Sequence, residues 1–223
     1  RLYFVDTKSL VTLLSSPNVM LENQSVLHLM FSDVKCFLLK KKSNVNASLA
    51  ADGTFDATIL GIKSHIGEIL YFLESLQWSE STKIGNLLQS MERKLRASVR
   101  NAIYKALFAL NDKNGGVPYG VWIIKHLTQA ILIATSIVFS RDVSAVYDSF
   151  SKDRLLNLKS SIDNEMDEIS MLIRSELRAE NRVKCIDLLQ MKVNHRDALK
   201  ILAELPVKSD NENSSVPFEW DIR

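Results

Sequence analysis

Residues 121 to 147, VWIIKHLTQAILIATSIVFSRDVSAVY, are the longest nearly continuous apolar stretch of the chain and constrain its fold more than any other segment. No charge falls between Lys125 and Arg141, and Trp122, Ile124, Leu127, Ile131, Ile133, Ala134, Ile137 and Val138 cover most of the way round a helix. A helix apolar on all sides has to be enclosed, by lipid or by other helices. A spanning helix needs roughly 20 apolar residues. Only fifteen positions lie between Lys125 and Arg141, and His126, Thr128, Gln129, Thr135 and Ser136 are among them. The stretch therefore predicts a helix buried in protein, with no membrane insertion and with the other elements packed around it. The opening RLYFVDTK has no run of small and apolar residues leading to a cleavage site, so the expectation is an intracellular chain.

A chain of 223 residues, 46% hydrophobic and 24% charged, can bury a sizeable core as one large or two small domains. Its net charge of +2, from 28 basic and 26 acidic residues, lacks the concentrated basic excess of a nucleic-acid or membrane-surface binder. Lys40, Lys41 and Lys42 form the only basic run, which reads as a solvated strand end. Cys36 and Cys185 have no CxxC spacing and read as reduced packing cysteines. Asn23, Asn46 and Asn213 head N-x-S sequons that, without a signal peptide, are chance matches.

In chain order, LYFV is ended by Asp6, a helix N-cap, before Leu10, Val11 and Leu14 on a short helix that stops before Pro17. A second helix is expected from about Glu22 to Phe31. VKCFLL, ATILGI and EILYFL are β-branched and aromatic runs that predict a small antiparallel sheet, and KKSNVNASLAADGTFD between the first two reads as a loop. After Ser79 or Ser81 as a cap, Ile84, Leu88, Met91, Leu95, Val99, Ala102, Ala106 and Leu110 form an apolar stripe at helical period. Asn114-Gly115-Gly116 breaks that helix and Pro118 suits the start of the central one, which is expected to end or bend near Ser140-Arg141-Asp142. Ser151 caps a third long helix with Asp153 in its first turn and Leu155, Leu158, Ile162, Met166, Ile169, Ile173 and Leu177 as its stripe. After a weak break over Arg178 to Asn181, a last helix runs from Arg182 to Leu205, where Pro206 stops it.

The fold class expected is mainly α: a bundle of long helices with a small antiparallel β-sheet inserted in the first half. Residues 1–78 would hold short helices and the sheet, residues 79–206 the long-helix bundle, and residues 207–223 a polar linker and the start of a connection to the next module.

The chemistry-bearing residues point away from an active site. Gly61-Ile62-Lys63-Ser64 lacks the upstream glycine and the Gly-Lys pair of a phosphate-binding loop, and Lys63 reads as an exposed strand residue. His28, His65, His126 and His195 form no HxxxH or HExxH pair. Asp163, Glu165, Asp167 and Glu168 have no histidine at helical spacing and read as a solvated face. No catalytic, cofactor-binding or metal-ligating residue is assigned, and a mechanical or interaction role is expected in place of catalysis.

Several stretches resemble, in this order and at these separations, the dynein heavy chain, in the C-terminal half of its linker before the first AAA+ module. Arg1-Leu2-Tyr3-Phe4 with Leu10 and Leu13-Leu14 is similar to the family's RFYF segment and following helix. ILGIKSHIGEILYF resembles its pair of strands around a Ser-x-x-Gly-Glu turn, with Ser64, Gly67 and Glu68 in those positions. Met91, Leu95 and Arg96 resemble the next helix. Trp122, Gln129, Ser136, Ile137 and Asp142-Val143 fall where the family has a Trp, a Pro-x-Gln, a Ser-x-Ile and a charged residue before Val. Val193-Asn194-His195-Arg196-Asp197 and Phe218-Glu219-Trp220 complete the series. Leu127-Thr128 replaces the family's Pro-x, Phe139-Ser140 its Trp-Thr, and Asp221-Ile222-Arg223 departs from its continuation.

The resemblance implies a lever that transmits ATP-driven change from an AAA+ ring elsewhere in the same chain. ATP and Mg would be bound in the adjoining modules and not in this segment. The implied partners are the chain's own ring, with dynein complex subunits and microtubules engaged through other regions, in the cytoplasm or a cilium and its axoneme. The alternative expectation is a free-standing α-helical scaffold that binds a partner protein.

Overall fold

The computed structural model describes residues 6–9, 11, 30–40, 56–79, 83–112, 117–148 and 152–204. Expectations for the LYFV run, Leu10 and Leu14, most of the helix at 22–31, the loop at 41–55, Ser81, Asn114-Gly115-Gly116, Ser151, Pro206 and Phe218-Glu219-Trp220 lie outside those residues. Asp6 does act as a cap, its carboxylate accepting the Ser9 N–H at 2.9 Å.

The three apolar runs form strands β1 (Val34–Leu39), β2 (Asp56–Ser64) and β3 (Ile69–Ser79), an antiparallel sheet with β2 in the middle. Alternation along β3 sends Phe72, Leu76 and Trp78 into the core and leaves Tyr71 and Leu73 on the outer face. The β2–β3 register shifts between Ile59 and Gly61, and there the two backbones approach so closely that a Cβ on Gly61 would lie 2.2 Å from the Leu70 carbonyl oxygen. Gly61→Ala is therefore expected to destabilise by roughly 1–3 kcal/mol. Gly85→Ala, in helix and with nothing within 4 Å, should instead stabilise by up to about 1 kcal/mol. Urea midpoints that move in opposite directions for the two variants are the expected result.

Five helices follow: α1 (Ile84–Asn111), α2 (Tyr119–Lys125), α3 (Thr128–Asp148), α4 (Lys152–Arg174) and α5 (Ala179–Glu204). The fold is mainly α with a minor antiparallel sheet, as the sequence predicts. At about 1.5 Å per residue, the 28 residues of α1 span roughly 42 Å and connect two cores. Its first half, with Ile84, Leu87, Leu88 and Met91, packs on the inner face of the sheet against a cluster that includes Ile59, Phe72 and Trp78. Its second half contributes Ala106 to a core shared with Trp122 and Ile123 of α2, Ala130, Ile131 and Ala134 of α3, Ile169 of α4 and Cys185 and Leu188 of α5. A third cluster, Val143, Ile162 and Leu199, ties the far ends of α3, α4 and α5 together.

Four boundaries or faces differ from expectation. Lys83, not Ser79 or Ser81, stands at the α1 N-cap, and no side chain caps there; Ser79 belongs to β3. Midway along α1, Ser98 and not Val99 is buried, because its hydroxyl accepts the Leu73 N–H of β3 at 3.1 Å where the helix leaves the sheet. Helix α3 continues past Ser140-Arg141-Asp142 to Asp148, with the Ser144 hydroxyl donating to the Ser140 carbonyl. The break between α4 and α5 falls at residues 175–178, where the Ser175 N–H and hydroxyl both donate to the Leu172 carbonyl.

The largest correction concerns the central stretch, which is not one helix enclosed on all sides. It divides into α2 and α3 at residues 126–127, and Ile137 is 43% exposed while Ile131 is 0% exposed. Thr128–Val146 is long and apolar enough to cross a membrane by length and composition, yet Ala130, Ile131, Ala134 and Val143 are buried against protein.

Candidate functional site

The break in the central stretch is where three separate parts of the chain meet. No Gly or Pro lies between Val121 and Asp148, so nothing in the local sequence forces a helix to stop there. His126 nevertheless adopts φ −99° and ψ 159°, an extended conformation. Breaking a helix leaves carbonyls at one end and N–H groups at the other without partners, and buried ones must be satisfied from elsewhere.

Two charged side chains meet that need. Lys184 of α5 donates from Nζ to the His126 carbonyl at 2.6 Å. Glu68, in the turn between β2 and β3, accepts both the Thr128 N–H and the Thr128 hydroxyl at 2.8 Å on Oε1, capping α3 from outside the helix. The two charges are themselves paired at 3.1 Å, with the Lys184 side chain 5% and the Glu68 side chain 15% exposed.

The Ser64-x-x-Gly-Glu turn is built to deliver Glu68. The Ser64 hydroxyl accepts the Glu68 N–H at 3.0 Å, and the Ser64 N–H closes the hairpin on the Glu68 carbonyl at 2.8 Å. Gly67 has φ +101°, a region that costs a residue with a Cβ roughly 1–2 kcal/mol. The same small turn therefore sets the sheet's connection and aims a carboxylate at the helical body.

A second polar group lies further along α5. Lys192, which is buried, pairs with Glu165 of α4, so Glu165 is not part of a solvated face; Asp167 and Glu168 of the same helix are exposed. Burial, followed by the nearby charge of Glu165, pushes the Tyr119 hydroxyl far above its ordinary range and keeps it neutral. Burial likewise raises the Cys185 thiol, consistent with a protonated packing cysteine. Cys36 is half-buried and also free. Lys63 is half-buried in β2 instead of fully exposed.

His195 stacks face to face on Phe139 of α3, with ring centroids 3.8 Å apart and planes 2° from parallel. Burial first, and the Lys192 charge second, bring its pKa down to about 4 from an ordinary 6.5. The unfolded chain therefore binds more protons than the folded one between those two values, and stability rises with pH across that window. Because the ring is only partly buried, the loss from pH 7 to pH 4 is expected to be roughly 1–2 kcal/mol, below the full linkage value. His195→Gln should flatten this part of the stability profile in thermal melts, and an unchanged slope would contradict the assignment.

Among the residues that carry the resemblance, Trp122 is buried and donates from Nε1 to the Ala106 carbonyl at 3.0 Å, tying α2 to α1. Ser136 reaches Met191 Sδ at 3.2 Å, and Val143 is buried. Gln129 and Ile137 are exposed. Asp142 pairs with the adjacent Arg141 at 3.0 Å. Asp197 is exposed, and hydrogen bonding to Lys200 is the main cause of its lowered pKa.

Sequence reasoning missed Lys184 and Lys192. The available signal was their place in a stripe, since Lys184, Leu188, Lys192, His195 and Leu199 recur at spacings of 4, 4, 3 and 4. Lysines inside a core-facing stripe require buried partners. Among the described residues, no group of three or more His, Cys, Asp or Glu side chains is arranged to hold a metal ion.

Fold and ion pair together define a helical bundle with a small sheet held against it. No protein-family model matches the chain. It is similar along nearly its whole length to dynein heavy chains. A cytoplasmic dynein heavy chain of Dictyostelium discoideum is 22% identical over 228 residues, covering 99% of this chain. A cytoplasmic dynein heavy chain of Drosophila melanogaster is 24% identical over 228 residues, also covering 99% of it. Dynein axonemal heavy chain 3 of Mus musculus is 26% identical over 133 residues, or 60% of this chain. The chain spans 4% of the length of the two cytoplasmic relatives. These similarities support a place for the chain within a heavy chain of dynein type.

Proposed function

We propose that this chain is a segment of the linker of a dynein-type heavy chain, adjoining the first AAA+ module, and that it works as a lever. The single observation that carries this reading is the collinear similarity to two cytoplasmic dynein heavy chains over 99% of the chain. The packing supports it. A lever transmits force only if its elements cannot slide, and here α1 bridges both main cores while Glu68 and Lys184 pin the sheet turn, α3 and α5 together. Nucleotide and Mg would be bound in ring modules outside this segment, which would itself turn over nothing. Its partners would be that ring, and through other regions a dynein complex and microtubules, in the cytoplasm or an axoneme.

The transcript beyond the Arg223 codon tests this directly. It is expected to encode several phosphate-binding loops within the following few hundred codons, and a reading frame without them would overturn the assignment.

One observation favours a second reading, a helical scaffold for another protein. Tyr104 and Phe108 of α1 are 64% and 77% exposed and line an open cleft of about 390 Å³ with Val117, Trp122 and Lys125. Exposed apolar surface of this kind marks interaction sites. Phe108→Ser should improve solubility without lowering the melting temperature, and capture of a partner that depends on Phe108 in a chain lacking ring modules would favour the scaffold.

A further inference from the structure

The geometry points to the joint at residues 126–127 being a latched two-state element, in which α2 and α3 are held apart by Glu68 and Lys184 and fuse into one continuous helix when that latch opens. The proposal does not depend on the lever reading and would hold for a scaffold equally.

The sequence across the joint, WIIKHLTQAIL, contains no residue that stops a helix. Ile123, Leu127, Ala130 and Ala134 stand at spacings of 4, 3 and 4, so they would share one stripe if the helix ran through. Three of them, Ile123, Ala130 and Ala134, are already buried in the same core. Fusion would therefore keep the same residues facing inward. What it cannot keep is the external hydrogen bonding. In a continuous helix the His126 carbonyl accepts from the Ala130 N–H, and the Thr128 N–H donates to the Ile124 carbonyl. In the broken joint, Lys184 Nζ occupies the His126 carbonyl and Glu68 Oε1 occupies the Thr128 N–H. Each latch contact thus competes for a group that helix propagation would use.

The two latch residues come from different elements, the β2–β3 turn and α5, and they pair with each other. Displacing the sheet turn relative to α5 takes Glu68 off the Thr128 N–H and leaves Lys184 without its carboxylate partner, so one competitor is removed and the other is left as an uncompensated buried charge. The joint then gains backbone hydrogen bonds as it loses the ion pair, which makes two discrete arrangements in place of a continuous flex. Movement of the sheet would be converted into a change in direction between α2 and α3.

Amide hydrogen exchange at Gln129 and Ala130 reads the state of the joint, because their N–H groups gain the Lys125 and His126 carbonyls as acceptors only in the fused helix. In E68Q/K184M these two amides are expected to exchange about tenfold more slowly than in the unmodified chain. Adding Leu127→Pro should restore fast exchange, since proline breaks the fused helix, and His126 already has the extended backbone that a residue before proline adopts. Leu127→Pro alone gives up some packing of the Leu127 side chain on the core, yet should leave Gln129 and Ala130 exchanging as fast as in the unmodified chain. If E68Q/K184M does not fold, the same slowing, smaller in size, is expected in Glu68→Gln alone. Unchanged or faster exchange at both amides in a folded latch variant, or slow exchange that survives Leu127→Pro, would overturn the proposal.

Discussion

Replacing Lys184 by Ala is expected to destabilise the chain by roughly 3–5 kcal/mol, the cost of breaking a buried ion pair from one side. The magnitude follows from what the ammonium does. It is one of four buried polar or charged side chains among the described residues and satisfies both the Glu68 carboxylate and the His126 carbonyl. Removing it leaves a carboxylate largely shut away from water and a carbonyl without its donor. Glu68→Ala removes the partner charge and also uncaps α3 at Thr128, so a loss of similar size is expected. The two losses should not add. E68A/K184A, which leaves no buried charge behind, is expected to be less destabilised than the sum of the single variants by at least about 1.5 kcal/mol. Urea unfolding of the four proteins measures this coupling, and strict additivity would mean that the pair holds nothing together.

Ile131→Asp is the other large expected effect, a loss of several kcal/mol from placing an unpaired carboxylate in the core. Ile131 is fully buried where α1, α3, α4 and α5 converge. Ile137, six residues on in the same helix, is 43% exposed, and Ile137→Asp should cost under about 1 kcal/mol. Its side chain instead lines an open groove with Leu132, Ile133 and Met191. A difference of many degrees in melting temperature between the two variants is expected. Equal effects would mean that α3 is enclosed on every side, as its composition alone suggests.

That contrast shows how much could be read from residues alone. Fold class and four long helical stretches were legible because stripes at period 3.6 are imposed by burial of one face, and the sheet because its strands are short β-branched and aromatic runs. The exposure of Ile137 was not legible. Hydropathy reports how apolar a side chain is and says nothing about whether another element arrives to cover it. Nor was the break at residues 126–127, since local sequence favours continuation and the competing groups come from residues 68 and 184. The resemblance held a partial clue there. Leu127 stands where the resembled family has proline, a residue that suits the first turn of a helix, whereas the break in this chain is held by tertiary contacts. Phe139, where the family has Trp, retains an aromatic face for His195 to stack on. Ser64, Gly67 and Glu68 were singled out by resemblance alone, and the turn they build shows what each does physically. Ser64 closes the hairpin, Gly67 allows φ +101°, and Glu68 carries the carboxylate to α3.

The central claim is that the Glu68–Lys184 latch stays closed through the nucleotide cycle, so that the sheet and helices move as one stiff body driven from elsewhere in the chain. Two label pairs in the full-length protein test it: one between Leu73 of β3 and Met171 of α4, both exposed, and one between Met171 and the first downstream phosphate-binding module. Distances read by fluorescence transfer in the nucleotide-free, ATP-bound and ADP-bound states are expected to stay constant for the first pair and to change by many ångströms for the second. A first distance that changes with nucleotide as much as the second, or a second that never changes, would contradict the account.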